Sequence, residues 1–313
     1  MRLLKKIIGY SIACILGIVL LFCIIFFKKD IPVTELYKTY TSQASKFVEI
    51  MGMNVHYRDE GNVNDSLPLV FIHGTSSSLH TWDAVTSLLQ SQKRIIRFDL
   101  PGFGLTGPQP KADYSFDAYE NFVDSVLRYL KISRCIIAGN SLGGGIAWRY
   151  ALHHPLQVKK IIAIDASGFP AIGAKGNIGF TIARTPVLKH FIKYVTPRFL
   201  VAKSLQQSYG DASKITDSLV ERYYALTLRS GNRQALIDRM QFGFPNESAL
   251  ISQIQQPSLI IWGDLDRLIP VRNAYQFKQA IRNSELMIIK GSGHVPMEEN
   301  PAVVAERIKS FAQ

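Results

Sequence analysis

The chain has 313 residues, 47% of them hydrophobic and 19% charged, a balance that excludes a disordered or low-complexity protein and fits one sizeable globular domain with room for an insertion. The formal charge is +12, but no finger, basic helix or aromatic-interleaved basic patch accompanies it, which argues against nucleic acid as a partner. Three cysteines without an obvious partner argue against a disulfide framework, and the lack of any Cys/His cluster at zinc spacing argues against a structural metal.

Ile7 to Phe27 is a run without a single charge. At about 1.5 Å per residue it spans roughly 31 Å, close to the ~30 Å hydrocarbon core of a bilayer. Lys5 and Lys6 precede it and Lys28 and Lys29 follow it. A cleaved signal peptide has a shorter apolar run followed by small residues at the cleavage site; here the run ends Ile-Ile-Phe-Phe-Lys-Lys. A lipoprotein signal fails as well, since Phe22 precedes Cys23 and too few apolar residues precede Cys14. Residues 1–30 therefore read as an uncleaved transmembrane anchor. Arg2, Lys5, Lys6 and the α-amine outweigh Lys28 and Lys29, which places the N-terminus in the cytoplasm and the body on the extracytoplasmic side.

Residues 31–45 read as a polar connector or a short helix over the membrane surface. Beyond them, apolar runs of strand length alternate with helical patterns. Phe47–Ile50 and Asn54–Arg58 predict a hairpin around Met51-Gly52-Met53, and Leu69–Ile72, Arg94–Phe98 and Cys135–Ala138 predict buried strands. Lys160–Ile164, Ser258–Trp262 and Leu286–Ile289 complete the series. Phe116, Tyr119, Val123, Val126, Leu127 and Leu130 fall on one helical face. Strands that alternate with helices imply a mostly parallel sheet covered on both faces, an α/β architecture.

The alternation breaks over residues 168–252, which carry helix-like segments, turns at Pro170, Gly173, Pro186 and Pro197, and no convincing strand. This stretch reads as a helical cap or lid over a core formed by 46–167 and 253–313. It holds 11 basic against five acidic residues, a net of +6. A basic cap beside a bilayer suits contact with anionic head groups, through Lys189, Lys193, Arg198 and Lys203 among others.

The sharpest motif is Gly139-Asn140-Ser141-Leu142-Gly143, which follows an apolar strand and opens a helical pattern over Gly143–Leu152. Serine is a weak nucleophile unless its hydroxyl is presented to a base. A tight strand-to-helix turn makes that presentation, and its glycines let neighbouring backbone pass close by. The base is expected at His294, in Gly293-His294-Val295-Pro296 after the last strand. His56, His80, His153, His154 and His190 fall in the hairpin or near helical patterns and read as surface or packing groups, and His73 as shaping its loop. A carboxylate should hold the imidazole in its working tautomer. The candidates at strand ends are Asp266, its neighbour Asp264, and Asp165. Asp266 is the first choice and Asp264 its nearest rival, and the order Ser, Asp, His holds for each candidate. Backbone N–H groups of Leu142 and Thr75, the latter after His73-Gly74, are placed to receive a developing oxyanion. None of these residues lies in 1–30, so the body should be enzymatically complete without the anchor.

From about residue 46 onward the chain resembles the α/β-hydrolase family. The resemblance rests on His73-Gly74 with Trp82, Asp99-Leu100-Pro101-Gly102-Phe103-Gly104, the Ser141 turn, Trp262-Gly263 followed by Asp266, and Gly293-His294. It implies the family fold, the triad Ser141–Asp266–His294 and no cofactor, and it prefers Asp266 over Asp264. Within the family the chain is similar to membrane-anchored monoacylglycerol lipases and bacterial lipases with a G-N-S-M-G-G turn, with Leu142 in place of the Met. It also resembles ring-cleavage C–C hydrolases, whereas epoxide hydrolases and haloalkane dehalogenases use an Asp where Ser141 stands. The implied activity is hydrolysis of lipid-like or medium-chain acyl esters. C–C bond hydrolysis is the alternative, and a non-catalytic binding module is the alternative outside enzymes.

Overall fold

The computed structural model describes residues 2–313, with the side chains of 4–313; the Arg2 side chain counted in the flanking charge lies outside them. Helix α1 (Arg2–Ile25) leaves every described side chain but Cys23 exposed. Its apolar span Leu4–Ile25 has a mean hydropathy of 2.7 and none of it is buried, so it is long and apolar enough to cross a membrane.

Eight strands form one sheet: β1 (Ser45–Ile50), β2 (Met53–Gly61), β3 (Leu69–Ile72), β4 (Arg94–Phe98), β5 (Cys135–Asn140), β6 (Val158–Ile164), β7 (Ser258–Gly263) and β8 (Ser284–Ile289). Their order across the sheet is β1-β2-β4-β3-β5-β6-β7-β8. The hairpin β1–β2 joins β4 antiparallel and every later pairing is parallel. Period-2 geometry sends Val70 and Ile72 to one face and Leu69 and Phe71 to the other, so both faces need cover. On the first face lie α4 (Phe116–Tyr129), α5 (Leu142–His153) and, C-terminal to β7, α11 (Arg272–Ala280). On the second lie α3 (Asp83–Leu89) and α13 (Pro301–Phe311). The chain leaves β3 toward β4 on one side and returns to β5 on the other. The crevice beyond the carboxyl ends of β3 and β5 is therefore the place where open α/β sheets hold ligands.

Between β6 and β7 the chain forms only helices: α6 (Ile178–Arg184), α7 (Leu188–Ile192), α8 (Arg198–Ser208), α9 (Asp217–Leu228) and α10 (Asn232–Phe242), with short 3-10 turns. The segment after α1 is docked on them and is not a loose tether. Lys28 N–H donates to the Tyr194 carbonyl at 2.7 Å and Ile31 N–H to the Leu228 carbonyl at 2.7 Å. Asp30 pairs with Arg233 at 2.6 Å. Helix α2 (Val33–Tyr40) buries Leu36 against Leu105, Ala225 and Leu226. The region read from sequence as a connector is thus a strap fastened across the helical insertion.

Candidate active site

Ser141 stands in the turn between β5 and α5 with φ 56° and ψ −117°, a conformation that costs a non-glycine residue about 1–3 kcal/mol. The turn persists because its neighbours over-determine it. Ser141 N–H donates to Ile164 O at 3.1 Å, while its carbonyl accepts from Gly145 N and Ser167 N, both at 3.0 Å. A Cβ on Gly139 would lie 2.1 Å from the Gly143 carbonyl oxygen, and one on Gly143 would lie 2.3 Å from Ile72 O. Only glycine lets these backbones close. Leu142 opens α5, so its N–H has no carbonyl one turn back. A Cβ on Gly74 would lie 3.1 Å from Ser141 Cβ, which measures how tightly the Gly74-Thr75 loop abuts the serine.

His294 occupies the loop between β8 and α12 (Pro296–Glu299). Its Nδ1 lies 2.7 Å from Asp266 Oδ2, with both side chains buried. The other Asp266 oxygen accepts Leu268 N–H at 2.8 Å and Ile269 N–H at 3.0 Å. The structure brings Ser141, His294 and Thr75 together as common walls of two cavities. Asp264 is elsewhere: it is exposed and accepts Gly291 N–H at 2.7 Å in the turn.

Asp165 lies behind Asp266. It is fully buried with φ 43°, its Oδ1 accepts Gly263 N–H at 3.0 Å, and its Oδ2 has no hydrogen-bond partner. Burial, and next the charge of Asp266, push its carboxyl well above the usual range. Asp165, Asp266 and His294 form the one acid/His cluster among the described residues whose atoms all approach within 4.8 Å. The Nδ1–Oδ2 hydrogen bond and the two backbone donors already engage its inner atoms, so the donor set suits proton handling better than an ion.

The remaining histidines separate by their partners. His73 accepts Leu100 N–H at its Nε2 (2.9 Å) and holds the Gly74 carbonyl through Nδ1 (2.8 Å). Burial lowers its pKa, so it shapes the loop as a neutral ring. His56 packs on Asp99 at 2.8 Å. Burial alone would raise the Asp99 pKa, but the charge and hydrogen bond of His56 hold it well below the usual range. His80, read from sequence as a surface or packing group, is a packing group. It is buried against Tyr40 O and Arg58, and burial pushes its pKa down to about 4.

Several residues that hold the site were not singled out from sequence. Asn140 Nδ2 donates to His294 O at 2.9 Å and to Ile164 O at 3.2 Å, which ties the histidine loop to the serine turn. Its place inside the Ser141 motif was an available signal. Glu299 accepts N–H groups from Gly293 (2.6 Å), Gly210 (2.9 Å) and Asp211 (3.2 Å), and so clamps the histidine loop to the helical insertion. Glu298 pairs with Arg222 and accepts from Tyr209 Oη at 2.6 Å. No local pattern marks either glutamate.

The two cavities meet at Ser141, His294, Thr75, Asn177, Phe180 and Leu268. The smaller, of 230 Å³, is lined by residues of α6, α7 and α8 and by Phe22 of α1. The larger, of 730 Å³, is bordered by Phe169, Arg184, Met240 and Phe244.

Residues 68–301 match the family model described as the alpha/beta hydrolase fold. An uncharacterized protein of Mycobacterium tuberculosis is 31% identical over 280 residues, 82% of this chain and 78% of that one. Lipase 1 of Psychrobacter immobilis is 26% identical over 272 residues, 83% of this chain and 81% of that protein. Among solved structures, the meta-cleavage product hydrolase of Pseudomonas fluorescens has a TM-score of 0.73 at 22% identity, covering 85% of this chain and 96% of its own. A membrane phospholipase A, also at 0.73 and 22%, covers 100% of this chain and 98% of its own.

Proposed function

This chain belongs to the α/β-hydrolase family, and we propose that within it the protein is a membrane-anchored serine hydrolase of carboxylic esters, acting on lipid-like or medium-chain acyl esters. Ser141 Oγ attacks the acyl carbon as His294 Nε2 takes its proton. Asp266 holds the imidazole and stabilises its charged form. The N–H groups of Leu142 and Thr75 receive the oxyanion, a contribution of about 3–4 kcal/mol of barrier per donor. His294 returns the proton to the departing alcohol, and water then releases the acid by the same route. The chemistry needs no cofactor. The observation that carries the reading is the 2.7 Å His294–Asp266 hydrogen bond beside a strained serine turn that opens onto two largely apolar cavities.

Ser141→Ala is the test. Turnover of p-nitrophenyl esters of rising chain length should fall by about 10⁶-fold, the scale seen when a triad nucleophile is removed, and fluorophosphonate labelling should vanish on folded protein. A variant with a tenth of wild-type turnover refutes the assignment, and a wild-type protein that neither labels nor turns over any ester is a binding module.

C–C bond hydrolysis is the second reading. The 2-hydroxy-6-oxo-6-(2'-aminophenyl)hexa-2,4-dienoic acid hydrolase of Metapseudomonas resinovorans is 24% identical over 88% of this chain and 92% of its own. A vinylogous diketone panel run beside the ester panel separates the two. The anchor reading is supported by the exposed apolar α1 and by the fastening of the segment that follows it to the cap. Extraction from membranes should need detergent and resist high salt, and protease added from outside should reach the body if it is extracytoplasmic.

A further inference from the structure

The 230 Å³ cavity is lined by Ser141 and His294 and also by Phe22. Phe22 belongs to α1, one helical turn before its end at Ile25. At ~1.5 Å per residue it lies roughly 5 Å inside the apolar span. Lys28 and Lys29 mark the head-group level, because an ammonium group stays in water while its neighbours enter the hydrocarbon. One wall of the reaction cavity therefore lies at the depth of the acyl chains.

The position of that wall is fixed. The Phe22 and Phe26 rings are 4.7 Å apart, Phe26 meets Phe199 of α8 edge-on at 5.6 Å, and Phe27 stacks on Tyr194 at 6.5 Å. Beside this seam α7 exposes Leu188 and Phe191, each at 45%. Both residues also line the cavity, so one short helix is at once its wall and its rim. A rim of exposed apolar side chains next to a membrane helix is costly in water and favourable in a leaflet.

From this we infer that the enzyme takes its ester sideways out of the leaflet in which its own anchor stands. The acyl chain of a membrane-resident, long-chain ester enters between Phe22 and α7, lies in the 230 Å³ cavity and brings its carbonyl to Ser141. The leaving alcohol turns into the 730 Å³ cavity. The inference rests on the ester-hydrolase reading above and adds a route and a substrate class to it.

Full-length protein in phosphatidylcholine proteoliposomes tests it, with 4-methylumbelliferyl oleate placed either in the same vesicles or in separate ones. Turnover of ester in the enzyme's own vesicles should exceed turnover across vesicles by about tenfold or more. Phe22→Trp should lower the ratio of oleate to butyrate ester turnover by about tenfold, and the ratio corrects for the amount of folded enzyme. Equal rates in the two vesicle formats, or an unchanged ratio in the variant, overturns lateral entry while the ester reading stands. Loss of all ester turnover together with no fluorophosphonate labelling of wild-type protein removes the ester reading, and the inference falls with it.

Discussion

Along β3, β5 and β7 every residue is buried, whereas α7 in the cap has no buried residue at all. The two regions are also fastened differently. The sheet places Ser141 and Asp266 through backbone hydrogen bonds and glycine contacts that allow almost no change. The cap is held over them by side chains: Asp30 to Arg233, Glu298 to Arg222, and Glu299 to the backbone of Gly210 and Asp211. On the proposed reading, chemistry depends on the part of the molecule that tolerates least, and substrate choice on the part that a few side chains can re-shape.

The largest effect should come from the sheet side. Asp266→Asn is expected to lower kcat by about 10⁴-fold, the loss recorded when the orienting carboxylate of a serine protease triad is neutralised. Asp264→Asn should change it by less than about threefold, since that carboxylate serves an exposed turn and surface changes away from special features cost little. Steady-state kinetics on one soluble ester decides it, and a crippled Asp264→Asn beside a healthy Asp266→Asn reverses the assignment.

The same division explains what was legible in the sequence. A strand buried on both faces must be a short continuous apolar run, so Leu69–Ile72, Cys135–Ala138 and Ser258–Trp262 announced themselves, as did the glycines that the Ser141 turn requires. Residues whose role arises from a distant partner left no local pattern. Glu299 meets Gly210 from 89 positions away, and Asp30 meets Arg233 from 203 away. Nor does the pattern of an apolar helix reveal that Phe22 borders the cavity next to Ser141.

That long-range pairing alters the expectation that the body is complete without residues 1–30. A truncation that removes Asp30 and the Lys28 carbonyl leaves the Arg233 guanidinium, 3% exposed in the full chain, with Thr196 Oγ1 as its remaining partner. A hydrogen bond involving a charged group contributes about 1.5–3 kcal/mol. A chain starting at Lys28 keeps Asp30 and should melt several degrees above one starting at Ile31, given about 2–4 °C per kcal/mol for larger domains. Circular dichroism on both truncated proteins measures this, and identical melting temperatures would show that the strap does not hold the cap.

A smaller effect, on the sheet side again, concerns Asp165. Burial and the neighbouring Asp266 raise its pKa in the folded protein, so between the unfolded value near ~3.9 and the raised folded value the native state keeps a proton that the unfolded chain gives up. Stability from this group is fully present below that unfolded value and is lost as pH rises toward the folded one, by at most about 1.4 kcal/mol per pH unit. Asp165→Asn cannot titrate and should flatten the denaturation-midpoint curve over that window. A variant curve parallel to wild type would show that Asp165 is not the protonated partner.

The smallest effect belongs to the cap surface. Its net charge of +6 suggested contact with anionic lipid, but the structure narrows the residues that can make it. Arg198 is engaged by Asp217 at 2.6 Å and Glu221 at 3.1 Å, and its charge is already spent on them. Lys189, Lys193 and Lys203 have no ion-pair partner among the described residues, and the first two flank the exposed Phe191 on α7. Each lysine near an anionic surface contributes about 1 kcal/mol and is screened by salt. Protein starting at Lys28 should therefore bind phosphatidylserine-containing vesicles more tightly than phosphatidylcholine ones and lose the preference as salt rises. Lys189→Gln with Lys193→Gln should remove most of that difference, whereas Arg198→Gln should remove little of it. Sedimentation at low salt measures all three, and an Arg198→Gln loss as large as that of the two lysines would mean that the ion pairs of α8 open at the bilayer and that the cap meets lipid over a wider face than α7.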